Sequence, residues 1–326
     1  MNLGAVNRHD PLDTSLKQSG KLWIRVKRHA LLYFLLSFAV IWTFIFCYLP
    51  MFGIVISFQD FSIWKGFWRG LTESEWVGFR YYINLFQLKD LRLAVLNTLK
   101  FSGLALIFGF PLTVLFALLL NELRNMKFKR VVQTISYLPY FLSWIAVVAL
   151  IYTVFELYGP VNALRVNVFG MPESARVNIL TKVEYFTGIV FWSGVYKGIG
   201  WGTVIYLAAI SGVDAQLYEA AVVDGCGRFK QVFYITLPSI LPTIVILFIL
   251  QSGSIINANF EQIKGLQNNY TQAETEVINT LTYNYGIQQS KFSQATAFGV
   301  TQGIVSFLIM YIVNKITNKI SGLGIW

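Results

Sequence analysis

The chain has 326 residues, of which 55% are hydrophobic and 13% are charged, and its formal net charge is +10. A water-soluble domain carries about 25% charged residues, so this composition excludes an ordinary soluble protein and indicates that lipid surrounds much of the chain. Anionic lipid headgroups are then the expected partners of the basic residues, and no basic stripe with interleaved aromatic residues indicates binding of nucleic acid.

The cysteines and histidines indicate no redox or metal chemistry. Cys47 and Cys226 have neither the pattern of a disulfide framework nor the spacing of metal ligands. His9 and His29 both precede the first apolar segment. We therefore expect no catalytic residue, no bound cofactor and no metal site in this chain.

Six long apolar segments follow one another along the chain. Each is near or above the ~20 residues that a helix needs to cross the hydrocarbon core of a bilayer, where a helix satisfies its own backbone hydrogen bonds. The sequence therefore predicts an all-α, polytopic membrane protein with about six transmembrane helices. The first segment lacks the cleavage site of a signal peptide and is predicted to remain as a span. The predicted spans are 31–57, 101–120, 131–155, 185–211, 240–258 and 292–314.

The distribution of Lys and Arg predicts the orientation of these spans. Basic residues cluster before the first span, at Arg25, Lys27 and Arg28, and again between the second and third spans. Because positive residues favour the cytoplasmic side, both termini are predicted to be cytoplasmic. The predicted parts are a basic cytoplasmic N-terminal segment 1–30, a transmembrane domain 31–315 with a cytoplasmic loop 212–239, and a cytoplasmic tail 316–326.

The loop 212–239 begins with a predicted short helix. Asp214 can cap its first turn by accepting a backbone hydrogen bond, and Gly225 can end it in the left-handed conformation. Ala220 and Ala221 are small, so another surface can approach the helix backbone closely. A second short helical piece is predicted to stop before Pro238. Helix geometry alone favours an ordinary amphipathic helix in a cytoplasmic loop. The spacing of the residues along the loop favours a more specific interpretation.

The spacing resembles the EAA loop of ABC-importer permeases. The pattern is Glu219-Ala220-Ala221, three residues, Gly225, nine residues, Ile235, one residue and Leu237-Pro238. In that family the loop is the coupling helix that docks in a cleft on the ATP-binding subunit. The resemblance implies a type I ABC-importer permease-like fold. The implied ATPase-coupling residues are Glu219, Ala220, Ala221, Asp224, Gly225, Ile235, Leu237 and Pro238.

Weaker motifs extend the resemblance over most of the chain. They are similar to the permeases of complex-sugar and polysaccharide importers, including alginate importers. Lys264 departs from the family, which tends to carry an aromatic or aliphatic residue there, and whether that position was engineered or varies naturally stays open. The motifs are Asn97-Thr98-Leu99, Tyr137-Leu138-Pro139, Trp192, the segment 197–201, the segment 259–263 and the segment 292–297.

The resemblance also implies a set of partners. These are a second permease subunit, two ATP-binding subunits that hold ATP and Mg, an extracytoplasmic sugar-binding protein and membrane lipids. The sequence has no G-x-x-x-x-G-K-[ST] motif, so the chain cannot bind ATP through a phosphate-binding loop of that type. The implied location is the inner membrane of a bacterium.

Polar residues within two spans are candidates for the substrate path. Lys197 lies well inside the fourth span and could meet the carboxylates of an acidic sugar, or could extend to the membrane interface instead. Trp201, on the same helix face, could stack on sugar rings or face lipid. The end of the fifth span is polar and could line a pore, contact other helices or leave the membrane. The candidates are Lys197, Trp201, Gln251, Asn257, Asn259 and Glu261.

Two other functions fit the sequence less well than a permease. A membrane-embedded sugar or lipid-linked-sugar transferase needs clustered carboxylates or a metal site, and Asp60, Glu73 and Glu75 come nearest without an informative spacing. A secondary transporter is disfavoured by the EAA-like loop and by the lack of paired carboxylates within the spans.

Overall fold

The computed structural model describes residues 27–325. Residues 1–26 of the predicted N-terminal segment and Trp326 of the predicted tail lie outside the described residues. Within the described range the chain is almost entirely helical, with one isolated β-bridge between Gln59 and Trp76. The prediction of an all-α fold is confirmed.

Five helices in the described part of the chain are long and apolar enough to cross a membrane. A further pair, Val183–Ser211 and Ala215–Val223, passes the same test together but bends by 71°, so the chain has up to six spans if that pair counts as one. We number the spans in chain order and take Val183–Ser211 as the fourth. The other spans are Ala30–Phe58, Lys89–Glu122, Trp144–Asn167, Arg228–Ser252 and Phe292–Ser321.

Shorter helices connect the spans. The chain divides into two compact units at Val55, and the second unit, from Ile56 onward, contains every site described below. The short helices are Phe67–Glu73, Arg80–Gln87, Met126–Tyr137, Ala215–Val223, Phe260–Leu266, Gln272–Thr275 and Ile278–Tyr283.

The predicted span 131–155 is not one helix, so that prediction was wrong. Helix Met126–Tyr137 gives way to a 3-10 turn at Leu138–Phe141, and a new helix begins at Trp144. Pro139 explains the break, because proline lacks the N–H that an α-helix needs and its ring collides with the preceding turn. Ser143 starts the next helix by accepting a hydrogen bond from the Ala146 N–H at 3.2 Å.

The fifth span begins earlier and ends earlier than its predicted range of 240–258. The second helical piece of loop 212–239 was predicted to stop before Pro238, and that prediction was wrong. The piece continues through a π-helical turn at Val232–Thr236 directly into helix Leu237–Ser252. Pro238 is tolerated because it stands in the first turn after the π-helical segment, where the normal hydrogen-bond ladder is already shifted. The span is therefore continuous with the loop that precedes it.

Small residues let the fourth span approach its neighbours. A Cβ atom placed on Gly200 would lie 2.0 Å from the carbonyl oxygen of Ser136, and one on Gly202 would lie 2.7 Å from a methyl group of Thr113. Close contact through small residues is the usual way that helices associate in lipid. A separate set of side chains from the second, third and fourth spans and the segment after the fifth is buried in one apolar cluster. It includes Phe101, Val147, Phe186, Val190 and Ile263.

Candidate functional site

The helix Ala215–Val223 has a defined beginning and end. At its start the Asp214 carboxylate accepts a hydrogen bond from the Gln216 N–H at 2.9 Å, as predicted. At its end Gly225 adopts a φ of +73°, and the Cys226 N–H donates to the Ala221 carbonyl at 2.8 Å. This is the Schellman arrangement, in which a left-handed residue lets the chain fold back on the last turn. A side chain at Gly225 would strain that conformation.

One hydrogen bond joins this helix to the fifth span, and two further contacts hold the chain that follows the helix. The hydroxyl groups of Tyr218, in the helix, and Thr236, in the fifth span, lie 2.9 Å apart. The Gln231 side-chain amide donates to the Cys226 carbonyl at 3.0 Å. Arg228, at the start of the fifth span, lies 3.7 Å from the Glu122 carboxylate at the end of the second span. The helix is thus connected to the fifth span both along the chain and through the Tyr218 hydroxyl.

Three apolar side chains of this region are uncovered. Val223 is 88% exposed, Phe229 84% and Tyr234 77%. Exposed apolar side chains are available to bind another protein or lipid. The predicted coupling residues fall in two groups. Glu219, Ala220, Asp224, Gly225 and Pro238 are exposed, whereas Ala221, Ile235 and Leu237 are partly buried.

A cavity of about 640 Å³ lies between the second, fourth and fifth spans and the segment that follows the fifth. Phe101 and Phe110 of the second span and Val190 of the fourth contribute to its mostly apolar wall. Three of the predicted path residues, Gln251, Asn257 and Asn259, line it together with Gln262. The structure therefore brings half of the predicted set to one surface.

The segment after the fifth span is held in place by side-chain amides. The Asn259 side-chain oxygen Oδ1 caps helix Phe260–Leu266 by accepting from the Gln262 backbone N–H at 3.1 Å. The Gln262 amide then donates to the Val190 carbonyl of the fourth span at 2.7 Å. From the sixth span, the Gln302 amide donates to the Asn257 side chain at 2.6 Å. The polar residues at and after the end of the fifth span thus both line the cavity and join helices, which are two of the three roles that the sequence left open.

The other predicted path residues lie elsewhere. The Lys197 ammonium donates to the carbonyl oxygens of Tyr140 and Leu142, at 2.7 and 2.5 Å. Both acceptors lie in the break between helices Met126–Tyr137 and Trp144–Phe155. The Trp201 ring stacks on the Tyr140 ring, with centroids 4.9 Å apart. Glu261 is exposed in the first turn of helix Phe260–Leu266 and does not contribute to the cavity wall.

Sequence reasoning missed the residues that join the second span to the segment 274–278. The Asn97 amide donates to the carbonyl oxygens of Glu274 and Glu276, at 2.9 and 3.0 Å. The Thr98 hydroxyl accepts from the Ile278 N–H at 3.0 Å. Both residues were noted for the family resemblance alone. A pair of polar residues beside an apolar run could have indicated such a contact, because buried polar groups require partners.

A buried carboxylate stands next to these contacts. Glu276 is 8% exposed, and the Asn284 amide donates to its carboxylate at 2.8 Å. Burial raises the pKa of the Glu276 carboxyl, and the nearby Lys264 charge opposes that effect. The Lys264 ammonium in turn donates to the Asn284 side chain at 3.3 Å and lies 5.7 Å from the Tyr283 ring. Lys264, the departure from the family pattern, is therefore part of a polar network.

No three His, Cys, Asp or Glu side chains in residues 27–325 come together in a way that could hold a metal ion.

Comparison with known proteins identifies the family. The model of the family described as "Binding-protein-dependent transport system inner membrane component" matches residues 109–319, which include the loop, most of the cavity wall and the last span. The chain belongs to this family. Its members are permease subunits of ABC transporters, so the prediction that the chain is not an enzyme is confirmed, and the comparisons do not support the transferase alternative.

Two curated relatives cover nearly the whole chain. Protein LplB of Bacillus subtilis (strain 168) is 37% identical over 302 residues, which are 92% of this chain and 92% of the relative. The polygalacturonan/rhamnogalacturonan transport system permease protein YteP of the same organism is 37% identical over 306 residues, which are 94% of this chain and 93% of the relative.

Two solved structures share the fold. A chain of a bacterial ABC transporter involved in the import of the acidic polysaccharide alginate superimposes with a TM-score of 0.82 and 36% identity, covering 92% of this chain and 99% of that chain. A chain of a bacterial alginate ABC transporter in complex with an alginate pentasaccharide-bound periplasmic protein gives a TM-score of 0.81 and 35% identity, covering 94% and 100%. The predicted type I importer permease fold is confirmed.

Proposed function

We propose that the chain is one permease subunit of an ATP-driven importer that takes up an acidic oligosaccharide or polysaccharide, alginate being one candidate. The observation that carries this proposal is similarity over more than nine-tenths of the chain to proteins whose names refer to alginate and polygalacturonan. Both are polymers of sugar acids. The amide-bearing wall of the cavity supports the same conclusion, because side-chain amides can both donate to and accept from sugar hydroxyls.

Uptake into proteoliposomes tests the proposed substrate. The full complex would be reconstituted with its sugar-binding protein and ATP, and supplied with labelled oligosaccharides of alginate, polygalacturonate and a neutral glucan of equal length. We expect ATP-dependent uptake of at least one acidic oligosaccharide in preference to the glucan. Uptake of the glucan alone would contradict the acidic substrate and leave the importer function standing, whereas no ATP-dependent uptake of any sugar would contradict both.

The proposed partners are a second permease subunit, two ATP-binding subunits and an extracytoplasmic sugar-binding protein. ATP and Mg would be held by the ATP-binding subunits. The similarity to a transporter chain crystallised with a periplasmic binding protein supports the last of these partners. Purification of the tagged chain in mild detergent, with identification of the bound subunits, tests the composition. A permease that purifies without any ATP-binding protein, under conditions that preserve the second permease, would contradict it.

The loop 212–239 is the proposed contact with the ATP-binding subunit. Its capped helix, its uncovered apolar residues and its continuous connection to the fifth span together suit a part that receives a force and transmits it. This role places the loop and both termini on the cytoplasmic side of the bacterial inner membrane. Labelling of a cysteine introduced near the C-terminus in intact cells tests the orientation, and modification by a reagent that cannot cross the membrane would contradict it.

The proposed substrate path runs along Gln251, Asn257 and Asn259. They line the same cavity, and each is exposed to it. Lys197, Trp201 and Glu261, which the sequence placed on the path, do not contribute to that wall, so the proposed path is narrower than the predicted one.

A further inference from the structure

The break between Tyr137 and Trp144 leaves carbonyl groups without their usual helical partners. A helix end has up to about four carbonyl groups that cannot bond within the helix. The Ala146 N–H, which lies four residues after Leu142, donates instead to the Ser143 hydroxyl. Because Lys197 contacts it, the break lies beside the middle of the fourth span, where there is little water to satisfy such groups, and each one that stays unpaired is costly.

Lys197 of the fourth span supplies the missing donors. Its ammonium lies 2.7 Å from the Tyr140 carbonyl oxygen and 2.5 Å from that of Leu142. The same nitrogen is 5.4 Å from the centre of the Tyr140 ring and 5.6 Å from that of the Trp144 ring, within the range of a cation–π contact. Hydrogen bonds from a charged donor are about twice as strong as neutral ones. The charge of Lys197 is thus directed at the broken segment.

Other side chains of the fourth span hold the same segment. Trp201, one helical turn after Lys197, stacks on Tyr140 at an interplanar angle of 11° and meets the Phe141 ring edge-on at 5.6 Å. Gly200 contacts the backbone of Ser136 so closely that a Cβ atom would overlap it. One helical turn of the fourth span, residues 197–201, therefore contacts the break and a residue on either side of it, Ser136 and Trp144.

We propose that Lys197 is a positioning residue, which holds residues 138–143 against the fourth span and thereby fixes the position of Trp144, through which the third span lines the cavity. Trp144, the first residue after the break, lines that cavity and lies against the Lys197 ammonium. The charge satisfies the protein's own carbonyl groups rather than the carboxylates of an acidic sugar. Loss of the charge loosens the wall and impairs transport of every substrate equally. The transport measurements below rest on the proposed function, whereas the hydrogen-exchange measurement does not.

The test compares Lys197→Met with Lys197→Arg in the full complex. Met has nearly the same length but no donor, whereas Arg keeps the charge and several donors. We expect Lys197→Met to lower uptake of acidic and of neutral or carboxyl-esterified oligosaccharides by the same factor, at least about tenfold, because two charge-assisted hydrogen bonds are lost. Lys197→Arg should recover most of the uptake. A loss confined to the acidic substrate would overturn the proposal and assign Lys197 to the substrate.

Hydrogen exchange gives a second measurement that needs no transport. The backbone amides of residues 138–146 should exchange faster in Lys197→Met than in wild type or Lys197→Arg. Unchanged exchange in Lys197→Met would overturn the proposal even if no sugar were imported. If Lys197→Met cannot be purified, Lys197→Gln provides the same test, because it keeps a neutral donor and removes the charge. Faster exchange of residues 138–146 in Lys197→Gln than in Lys197→Arg would support the proposal, and equal exchange would overturn it.

Discussion

Loop 212–239 has exposed apolar side chains, whereas the cavity is lined by a few polar side chains among apolar ones. The helix of the loop is fixed by contacts between near neighbours in sequence, such as the Asp214 cap and the Gly225 turn. The cavity depends on distant partners, such as Gln262 with Val190 and Asn257 with Gln302. A surface that must bind a moving partner can be built from one rigid segment, but a passage between spans needs every span in position.

The largest expected effect comes from Gly225→Val. A β-branched side chain cannot easily adopt the φ of +73° at this position, so the end of helix Ala215–Val223 is displaced while the spans still insert. We expect ATP hydrolysis stimulated by the loaded binding protein, and uptake, to fall nearly to background. Both would be measured on the reconstituted complex, with the number of ATP-binding subunits that remain bound.

Gly227→Val is the matched control. Gly227 lies two residues further on with a φ of −69°, and a Cβ atom placed on it meets no other atom within 4 Å. It should retain most of the wild-type activity. Equal loss in both variants would show that bulk in the loop matters and that the left-handed turn does not.

The cavity is expected to respond more weakly, because its polar wall is shared among several side chains. Gln251→Leu removes one amide that lines it. We expect a higher KM for the sugar, by about fivefold if one neutral hydrogen bond of about 1 kcal/mol is lost, with little change in ATP-binding subunit retention. Gln87→Leu, an exposed glutamine that does not line the cavity, is the control. A wild-type KM in Gln251→Leu would remove Gln251 from the path.

A third variant probes the connection between the two regions. Tyr218→Phe removes the hydroxyl that lies 2.9 Å from the hydroxyl of Thr236 in the fifth span. We expect ATP hydrolysis to persist and the ratio of sugar imported to ATP hydrolysed to fall by about two- to fivefold, as the loss of one hydrogen bond permits. Tyr234→Phe, which alters an exposed tyrosine nearby, should keep the wild-type ratio. Equal ratios in the two variants would argue against the Tyr218–Thr236 connection as the route of force.

The smallest effect concerns stability and pH. Because burial raises the pKa of Glu276 in the folded protein, the folded state holds its proton more tightly than the unfolded state does. Stability contributed by the protonated form is therefore lost as pH rises from the unfolded pKa through the folded one. We expect Glu276→Gln, which keeps an oxygen for Asn284, to raise the Tm at pH 7 relative to wild type and to lose this advantage near pH 4. Glu274→Gln, at an exposed position, is the control, and an advantage of Glu276→Gln that is the same at both pH values would contradict the argument.

The sequence predicted the features that depend on near neighbours. The Asp214 cap and the Gly225 turn are confirmed, because each is determined by the type of one residue and the backbone around it. The apolar runs predicted the number of spans for a similar reason, since hydropathy is a property of a local segment. Their ends were less accurate, as helix Lys89–Leu104 begins 12 residues before the predicted start of the second span, at position 101. Polar residues there are satisfied by contacts that only the fold creates.

The break at Pro139 and the partners of Lys197 could not be predicted with the same means. Proline is tolerated in many membrane helices, so Pro139 alone did not indicate that the third segment divides. Lys197 drew attention as a charge within a span, but its partners are carbonyl oxygens 55 and 57 residues away. Backbone carbonyl groups have no signature in the sequence, so the sequence offered only a substrate carboxylate or the membrane interface as partners for this charge.

Photo-crosslinking from position 223 tests the central claim most directly, namely that an ATP-binding subunit contacts this loop. A photoreactive amino acid would replace Val223, which is 88% exposed on the loop, or Trp64, which is 87% exposed on the segment between the first and second spans. In the assembled complex, irradiation should join position 223 to a subunit that mass spectrometry identifies by its G-x-x-x-x-G-K-[ST] motif, and position 64 should give no such product. A complex that contains the ATP-binding subunit but yields no crosslink from position 223, or yields it from position 64, would contradict the account.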